Sequence, residues 1–199
     1  MKKPLLSFAA ASTLALTAPA HAEFTGDTKL ACEAILCLST GQRPNECTPS
    51  IQRYFSIKHR KPQDTFNARR NFLNMCPASQ QDDNMKSLVN ALLSGAGSCD
   101  ARTINFYNRD HWGRFSHDDE RKTTISNQMP RHCATYFNHT YTDFKTTAPR
   151  YVGTPETGGY WVEAAQYEAA TKAHKAKLEA EKKRKEEERR RGNSWGGGN

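Results

Sequence analysis

The sequence predicts an all-α fold, in which a small disulfide-stapled helical domain precedes a charged C-terminal helical tail. Apolar residues recur at helical spacing in several segments, whereas no segment shows the alternation that is typical of a strand. Six cysteines and a mean hydropathy of −0.84 indicate a small core that depends on cross-links. A C-terminal segment rich in Ala, Glu, Lys and Arg has high helix propensity and forms the tail.

The first 22 residues have the features of a secretory signal peptide. Two lysines precede an apolar run over 5–16, and the small-residue pattern Ala20-His-Ala22 follows. We therefore expect cleavage between Ala22 and Glu23 and export to an oxidising compartment such as the bacterial periplasm. The apolar run is shorter than the about 20 residues that a membrane-spanning helix needs, and no later stretch reaches that length.

The predicted helices follow from apolar spacing and from capping residues at their ends. The segments are 28–39 after Asp27 as N-cap, about 50–58 after Thr48-Pro49, 65–75, 82–94, a helix starting after Ser98 and one opening at Pro130. Segment 82–94 is the clearest, because Met85, Leu88, Val89 and the following leucines recur at i, i+3, i+4 and i+7.

The six cysteines predict three disulfides in an exported chain, although their number leaves the connectivity open. They are Cys32, Cys37, Cys47, Cys76, Cys99 and Cys133. Cys32 and Cys37 lie about 140° apart around one helix, so we expect them to reach different partners. Our pairing joins Cys37 to Cys47 across a short loop. By elimination and adjacency, it also joins Cys32 to Cys76 and Cys99 to Cys133. The C-x-x-C spacing of redox and zinc sites is absent from the sequence.

Composition divides the chain into five segments. They are the signal peptide 1–22, the helical domain 23–145, a Thr-, Pro- and Gly-rich linker 146–160, the charged helical tail 161–191 and a disordered Gly-rich end 192–199. In the tail, Glu179 with Lys183 and Glu181 with Lys185 form favourable i,i+4 pairs. Leu178 is nearly alone among the apolar positions that a coiled-coil tail would need.

The sequence predicts no catalytic, cofactor-binding or metal-binding residues, although three groups could carry chemistry. His111, His117 and the carboxylates 118–120 lie within ten residues, but their spacing matches no ligand motif. His132 and His139 lie seven apart and would share one face of the Cys133 helix. Glu33 lies among apolar residues and is the candidate acid of a cell-wall hydrolase. A purely structural role also accounts for it, because the helix dipole stabilises a carboxylate near the N-terminus of a helix.

The chain is basic, with 29 Lys and Arg against 21 Asp and Glu, and the signal peptide contributes two of the lysines. This excess of positive charge would permit peripheral contact with an anionic surface of the cell envelope, but it does not indicate which surface. The basic runs 182–185 and 189–191 are interleaved with glutamates and lack stacking aromatics. We therefore expect no direct binding of nucleic acid.

Residues 28–77 carry a specific resemblance to a known family. They contain Leu-Ala-Cys-Glu-Ala-Ile-Leu-Cys-Leu at 30–38, Cys-Thr-Pro-Ser-Ile-Gln-Arg-Tyr-Phe at 47–55 and Asn-Phe-Leu-Asn-Met-Cys-Pro at 71–77. This segment resembles the TrbM family of conjugal-transfer proteins, also called KikA. The resemblance extends through Cys133, whereas the charged tail is generic.

The resemblance implies a periplasmic accessory or assembly component of the mating-pair formation apparatus, a type IV secretion system of plasmids. Its partners would be other conjugal-transfer proteins, and the family brings no catalytic residue or cofactor to these positions. The alternative hypothesis is a periplasmic hydrolase that opens the cell wall for the same apparatus. Loss of function in a folded Glu33→Gln variant would favour that alternative.

Overall fold

The structure of the chain is a computed structural model, which describes residues 24–111 and 123–194. This part of the chain is mostly helical, as the sequence predicts. Its helices are α1 (Gly26–Leu38), α2 (Thr48–Ser56), α3 (Pro62–Leu73), α4 (Asp83–Gly95), α5 (Ala101–Tyr107), α6 (Arg131–Phe137) and α7 (Tyr167–Ser194). Its strands are β1 (Arg109–His111), β2 (Thr123–Ile125), β3 (Arg150–Val152) and β4 (Tyr160–Val162).

The helices bury one apolar core. Helix α1 packs against α2 and α3, and α4 packs against α6. The largest fully buried apolar side chains are Tyr54, Leu38, Leu73, Leu92 and Ile104. Each buried leucine or isoleucine contributes about 1.5–3 kcal/mol relative to exposure, so these contacts hold the helices together.

Helix α1 begins at Gly26, and Asp27 is therefore not the N-cap that the sequence suggests. Asp27 lies in the first turn, where its carboxylate accepts hydrogen bonds of 3.0 and 2.6 Å from the Arg53 guanidinium. The hydrogen bond from Arg53 lowers the pKa of Asp27. The acid thus joins α1 to α2 and also lies at the positive end of the helix dipole.

Three disulfides connect the helices, and they are the same pairs that the sequence suggests. Cys32–Cys76 joins α1 to the end of α3, and Cys37–Cys47 joins α1 to the turn before α2. Cys99–Cys133 joins the segment before α5 to α6. Such cross-links suit an oxidising environment.

The strictly all-α prediction is not confirmed, because two small antiparallel sheets accompany the helices. Strand β1 pairs with β2, with Arg109 opposite Ile125. Strand β3 pairs with β4, with Tyr151 opposite Trp161. Each strand has three residues, which is too short for the period-two alternation on which a strand prediction depends.

The β3–β4 hairpin occupies most of the segment 146–160 that composition assigns to a linker. Its turn carries a capping box between Thr154 and Thr157. The Tyr151 hydroxyl donates a 2.7 Å hydrogen bond to the Ile125 carbonyl, and the Trp161 indole N–H donates one of 2.9 Å to the Ser126 carbonyl. Aromatic side chains that reach across the chain therefore order a segment whose Thr, Pro and Gly content suggests a linker.

Helix α7 starts on the hairpin and then leaves the body. The Arg150 guanidinium lies 3.4 Å from the centre of the Tyr167 ring, and His174 is the last buried residue of the helix. The remaining turns extend about 30 Å beyond His174 at 1.5 Å per residue. We call residues 175–194 the arm. In the described part of the chain, no helix is both long enough and apolar enough to cross a membrane.

Candidate functional site

The candidates from the sequence lie apart in the structure. Glu33 is half-buried on α1 and lines none of the cavities described here. Leu36, one turn further along α1, is 70% exposed. Glu33 therefore lies beside open surface rather than inside the apolar pocket that a catalytic acid requires. The backbone of His111 ends β1, and residues 112–122, which contain His117 and the carboxylates 118–120, lie outside the described residues.

His132 and His139 do not share a helix face, because α6 ends at Phe137. The Thr142 hydroxyl lies 3.0 Å from the Tyr136 carbonyl and 2.9 Å from the His139 carbonyl. It can donate its one hydrogen to the Tyr136 carbonyl, in place of the backbone N–H that would continue the helix, while the Thr142 N–H donates to the His139 carbonyl at 3.0 Å. His139 therefore lies in the turn after α6.

His139 contacts Ser87, but the geometry does not activate the serine as a nucleophile. The Tyr141 N–H donates to His139 Nδ1 at 3.1 Å, so the neutral ring carries its proton on Nε2. Nε2 lies 2.8 Å from Ser87 Oγ, and that hydroxyl donates to the Asn84 carbonyl. Since Nε2 is the donor, the ring cannot accept the serine proton, as a Ser-His pair in catalysis requires.

One cluster in the described part of the chain has the spacing of metal ligands. It consists of Cys99, His132 and Cys133, whose ligand atoms lie within 4.8 Å of one another. Cys99 and Cys133 form a disulfide with each other. Metal binding by cysteine needs a thiolate, so these two sulfurs are not available as ligands.

A groove of about 510 Å³ lies between α5 and β4. We call it the α5–β4 groove. Its polar and aromatic lining consists of Arg102, Asn105, Phe106, Arg109, Tyr160, Trp161, Glu163 and Gln166. The Phe106 side chain is 67% exposed, and the adjacent Tyr107 is 73% exposed. The two rings pack edge to face with their centres 5.2 Å apart. Arg102 lies in the first turn of α5, and Arg109 begins β1 shortly after the helix.

The walls of the groove are held in place by side-chain hydrogen bonds. Asn105 binds the backbone of β4 twice, because Nδ2 donates to the Trp161 carbonyl at 2.8 Å and Oδ1 accepts from the Trp161 N–H at 2.7 Å. Glu163 accepts a 2.7 Å bond from the Ala101 N–H at the start of α5. The groove is therefore formed before any partner binds.

Asp100 caps the same helix end. Its carboxylate accepts 2.9 and 2.6 Å hydrogen bonds from the Thr103 N–H and hydroxyl. Burial alone would raise the pKa of Asp100, but the bonds from Thr103 lower it overall. This carboxylate stays ionised and serves α5 as an N-cap.

A model of the TrbM family matches residues 23–175, which are most of the chain. The chain belongs to the TrbM family. No curated protein and no solved structure matches it. Membership of the TrbM family connects the chain with conjugal transfer.

The TrbM match covers the body of the molecule. It contains all three disulfides, both hairpins and the α5–β4 groove. It ends at residue 175, next to His174, where α7 leaves the body. The arm therefore lies outside the part of the chain that the TrbM match covers.

The sequence predicts a helix that starts after Ser98, but the exposed pair Phe106 and Tyr107 is not among the candidates that it offers. A signal is present in the sequence, because successive helical residues point about 100° apart. Ile104 is buried, so Phe106 lies about 200° away, on the opposite side of α5. The sequence could not supply the second wall of the groove, because β4 lies where the predicted linker 146–160 meets the predicted tail 161–191.

Proposed function

We propose that this TrbM protein is a periplasmic, non-enzymatic accessory of the conjugal transfer apparatus, which acts by binding another transfer protein. The signal-peptide features support export, and three disulfides suit the oxidising periplasm. The TrbM family supports the link to conjugation.

The single observation that carries the binding role is the exposed aromatic pair beside the α5–β4 groove. Phe106 and Tyr107 are the most exposed aromatic side chains among the described residues, and they are neighbours. Arg102 and Arg109 line the α5–β4 groove together with Phe106. Exposed aromatic residues with arginine are enriched at the centres of protein interfaces, where a partner covers the apolar surface.

The test is a plasmid-mating assay in which the deleted gene is complemented by the parent or by a Phe106→Ser/Tyr107→Ser variant. We expect the variant to be recovered from the periplasm with its disulfides intact, while transfer falls by about tenfold or more. Leu36→Ser is the matched control, because it removes an exposed apolar side chain outside the groove.

Three results would contradict the proposal. Normal plasmid transfer after deletion of the gene would contradict a role in conjugation. If the folded Phe106→Ser/Tyr107→Ser variant restores transfer fully, the α5–β4 groove is not the binding surface. A reduced protein in the cytosol would contradict the periplasmic location.

The non-enzymatic part of the proposal is tested at Glu33. A Glu33→Gln variant keeps the size of the side chain but cannot ionise, so it would inactivate a hydrolase that uses this acid. We expect transfer and cell-wall integrity to equal those of the parent. A folded Glu33→Gln variant that fails in transfer would support the cell-wall hydrolase instead.

A further inference from the structure

The charged side chains of the α5–β4 groove differ in whether the protein itself engages them. Two arginines, Arg102 and Arg109, and one acid, Glu163, line the groove. Both arginines are exposed, and neither has a salt-bridge partner in the described part of the chain. Glu163 Oε1 already accepts the 2.7 Å hydrogen bond from the first backbone N–H of α5. The groove therefore presents more unpaired positive charge than negative charge to a ligand.

An exposed aromatic ring lies between these two arginines in the sequence. Arg102 and Phe106 are at positions i and i+4 on one face of α5, and Arg109 follows three residues after Phe106. The Phe106 side chain is 67% exposed, and its burial by an apolar side chain would favour association. The groove thus combines a cation, an aromatic ring and a second cation.

The edge of β4 that faces α5 is not free to pair with a strand of a partner. Trp161 is the middle residue of this three-residue strand, and Asn105 binds both its N–H and its carbonyl, at 2.7 and 2.8 Å. The other edge of β4 pairs with β3. Addition of a strand requires free backbone donors and acceptors at an edge. A partner in this groove must therefore be recognised by its side chains.

The groove is also short. The three residues of β4 span about 10 Å at about 3.3 Å per residue, which is the length of three or four extended residues of a partner. The walls are fixed by Asn105 and Glu163, so binding does not require the groove to be ordered first. These dimensions suit a short segment of a partner.

We propose that the α5–β4 groove binds a short acidic segment of a partner protein, in which carboxylates lie on both sides of an apolar residue. The apolar side chain covers Phe106, and the carboxylates pair with Arg102 and Arg109. A guanidinium is planar and can donate two parallel hydrogen bonds to one carboxylate, which favours this pairing. The inference rests on the proposed function, because it takes the groove to be the surface that binds another transfer protein.

Single-stranded nucleic acid also binds aromatic side chains and arginines, but it fits this surface less well. Bases stack on the faces of aromatic rings. The rings of Phe106 and Tyr107 lie edge to face at 81°, so they do not offer two parallel faces to successive bases. Glu163 in the wall of the groove would also repel phosphate groups.

The test begins with a library of random peptides of about 12 residues, displayed on phage and selected on the mature chain. Peptides that bind the Phe106→Ser/Tyr107→Ser variant as well as the parent are discarded, because they do not require the groove. We expect the remaining peptides to share an apolar residue with Asp or Glu on both sides of it. A selected peptide is then synthesised with a fluorescent label, and its affinity is measured by fluorescence anisotropy.

Two double variants assign the recognition of acid to the arginines. Arg102→Glu/Arg109→Glu should weaken binding of the labelled peptide by about tenfold or more, and Arg102→Gln/Arg109→Gln should weaken it less. Lys58→Glu/Lys61→Glu is the matched control, because it reverses two exposed charges outside the groove and should leave the affinity unchanged. Circular dichroism and a non-reducing gel establish that each variant is folded.

Changes in the peptide complete the test. A peptide in which Asn and Gln replace Asp and Glu should bind the parent about tenfold more weakly and should lose little more affinity in Arg102→Glu/Arg109→Glu. The acidic partner is excluded if the selected peptides share no acidic residue, if no peptide distinguishes the parent from the aromatic variant, or if the charge-reversed variant binds as the parent does. It is also excluded if an oligothymidylate of about 12 nucleotides binds through the same arginines more tightly than the peptide.

The mating assay separates failure of this inference from failure of the proposed function. Loss of transfer in the Phe106→Ser/Tyr107→Ser variant, together with selected peptides that are neutral or basic, would leave the proposed function standing and overturn the acidic partner. Normal transfer in that variant would contradict the proposed binding surface, whatever peptides the selection gives.

Discussion

Single side chains join the helical body to the C-terminal hairpin in this protein. Asn105 pairs with the backbone of β4 as a neighbouring strand would, and Tyr151 and Trp161 bind the carbonyls of residues 125 and 126. These bonds link residues that are 26 or more positions apart in the chain. Ordinary side-chain hydrogen bonds contribute about 0.5–1.5 kcal/mol each, so several are needed to order this segment.

Gly153 allows α7 to dock on the hairpin. Its φ is +76°, and a Cβ at this position would lie 2.3 Å from His174 Nε2. We predict that Gly153→Ala destabilises the protein by about 1–3 kcal/mol and exposes the first turns of α7, because both the backbone and the contact are strained. Urea unfolding and hydrogen exchange over residues 167–175 measure the two effects.

Gly158→Ala is the matched control for Gly153. Its φ is +73°, but a Cβ there would have no neighbour within 4 Å. It should cost about 1 kcal/mol, from the backbone alone, and should leave α7 protected. Equal losses in the two variants would mean that the His174 contact does not hold the helix.

The stability of the fold should depend on pH through His139. Burial lowers the pKa of His139 from its ordinary value of 6.5. Between the lowered pKa and 6.5, the unfolded chain binds more protons than the folded chain, so stability rises with pH across this window. We predict a smaller loss of unfolding free energy between about pH 7 and pH 5 in His139→Gln than in the parent. An unchanged pH dependence in the variant would show that His139 does not contribute.

At the scale of elements, the helices follow from local pattern, whereas the strands follow from distant partners. Segment 82–94 carries its apolar stripe in its own sequence, and the structure has α4 at Asp83–Gly95. Strand β4 is three residues long and is held by Asn105 of α5 and by β3. No local pattern of that length distinguishes it from a loop. The same limit applies to the α5–β4 groove, of which the sequence suggests one wall only.

The three disulfides should not contribute equally to stability. Cys32 and Cys76 are 44 residues apart, whereas Cys37 and Cys47 are 10 apart. A longer closed loop restricts the unfolded chain more, so replacing Cys32 and Cys76 with Ser should cost about 1 kcal/mol more than replacing Cys37 and Cys47. Urea unfolding of the two double variants measures this difference. The opposite order would mean that native contacts, rather than loop length, determine the contribution of each bridge.

At the scale of the whole molecule, a cross-linked body carries the α5–β4 groove, and the arm projects from it. The arm is held as a helix by its own side chains, including Glu181 with Lys185 at 2.9 Å and Arg184 with Glu188 at 3.9 Å. Pairs of this kind add a few tenths of a kcal/mol each.

Removal of the arm should leave the body intact. No side chain after His174 is buried in the described part of α7. We predict that a chain ending at residue 179, which lacks most of the arm, keeps its unfolding free energy within about 0.5 kcal/mol of the parent and loses helical signal in circular dichroism. A larger loss of stability would show that the arm packs on the body in solution.

The sequence by itself determined the helical character of the body, the number of disulfides, the charged helix at the end and the resemblance to TrbM. All of these depend on residues that are close in the chain or on a count of one residue type. Tertiary structure alone decided the two hairpins, the end of α6 before His139, the docking of α7 and the α5–β4 groove. Each of these depends on a contact between residues far apart in sequence, such as Asn105 with Trp161, and a local pattern contains no information about which distant residues will meet.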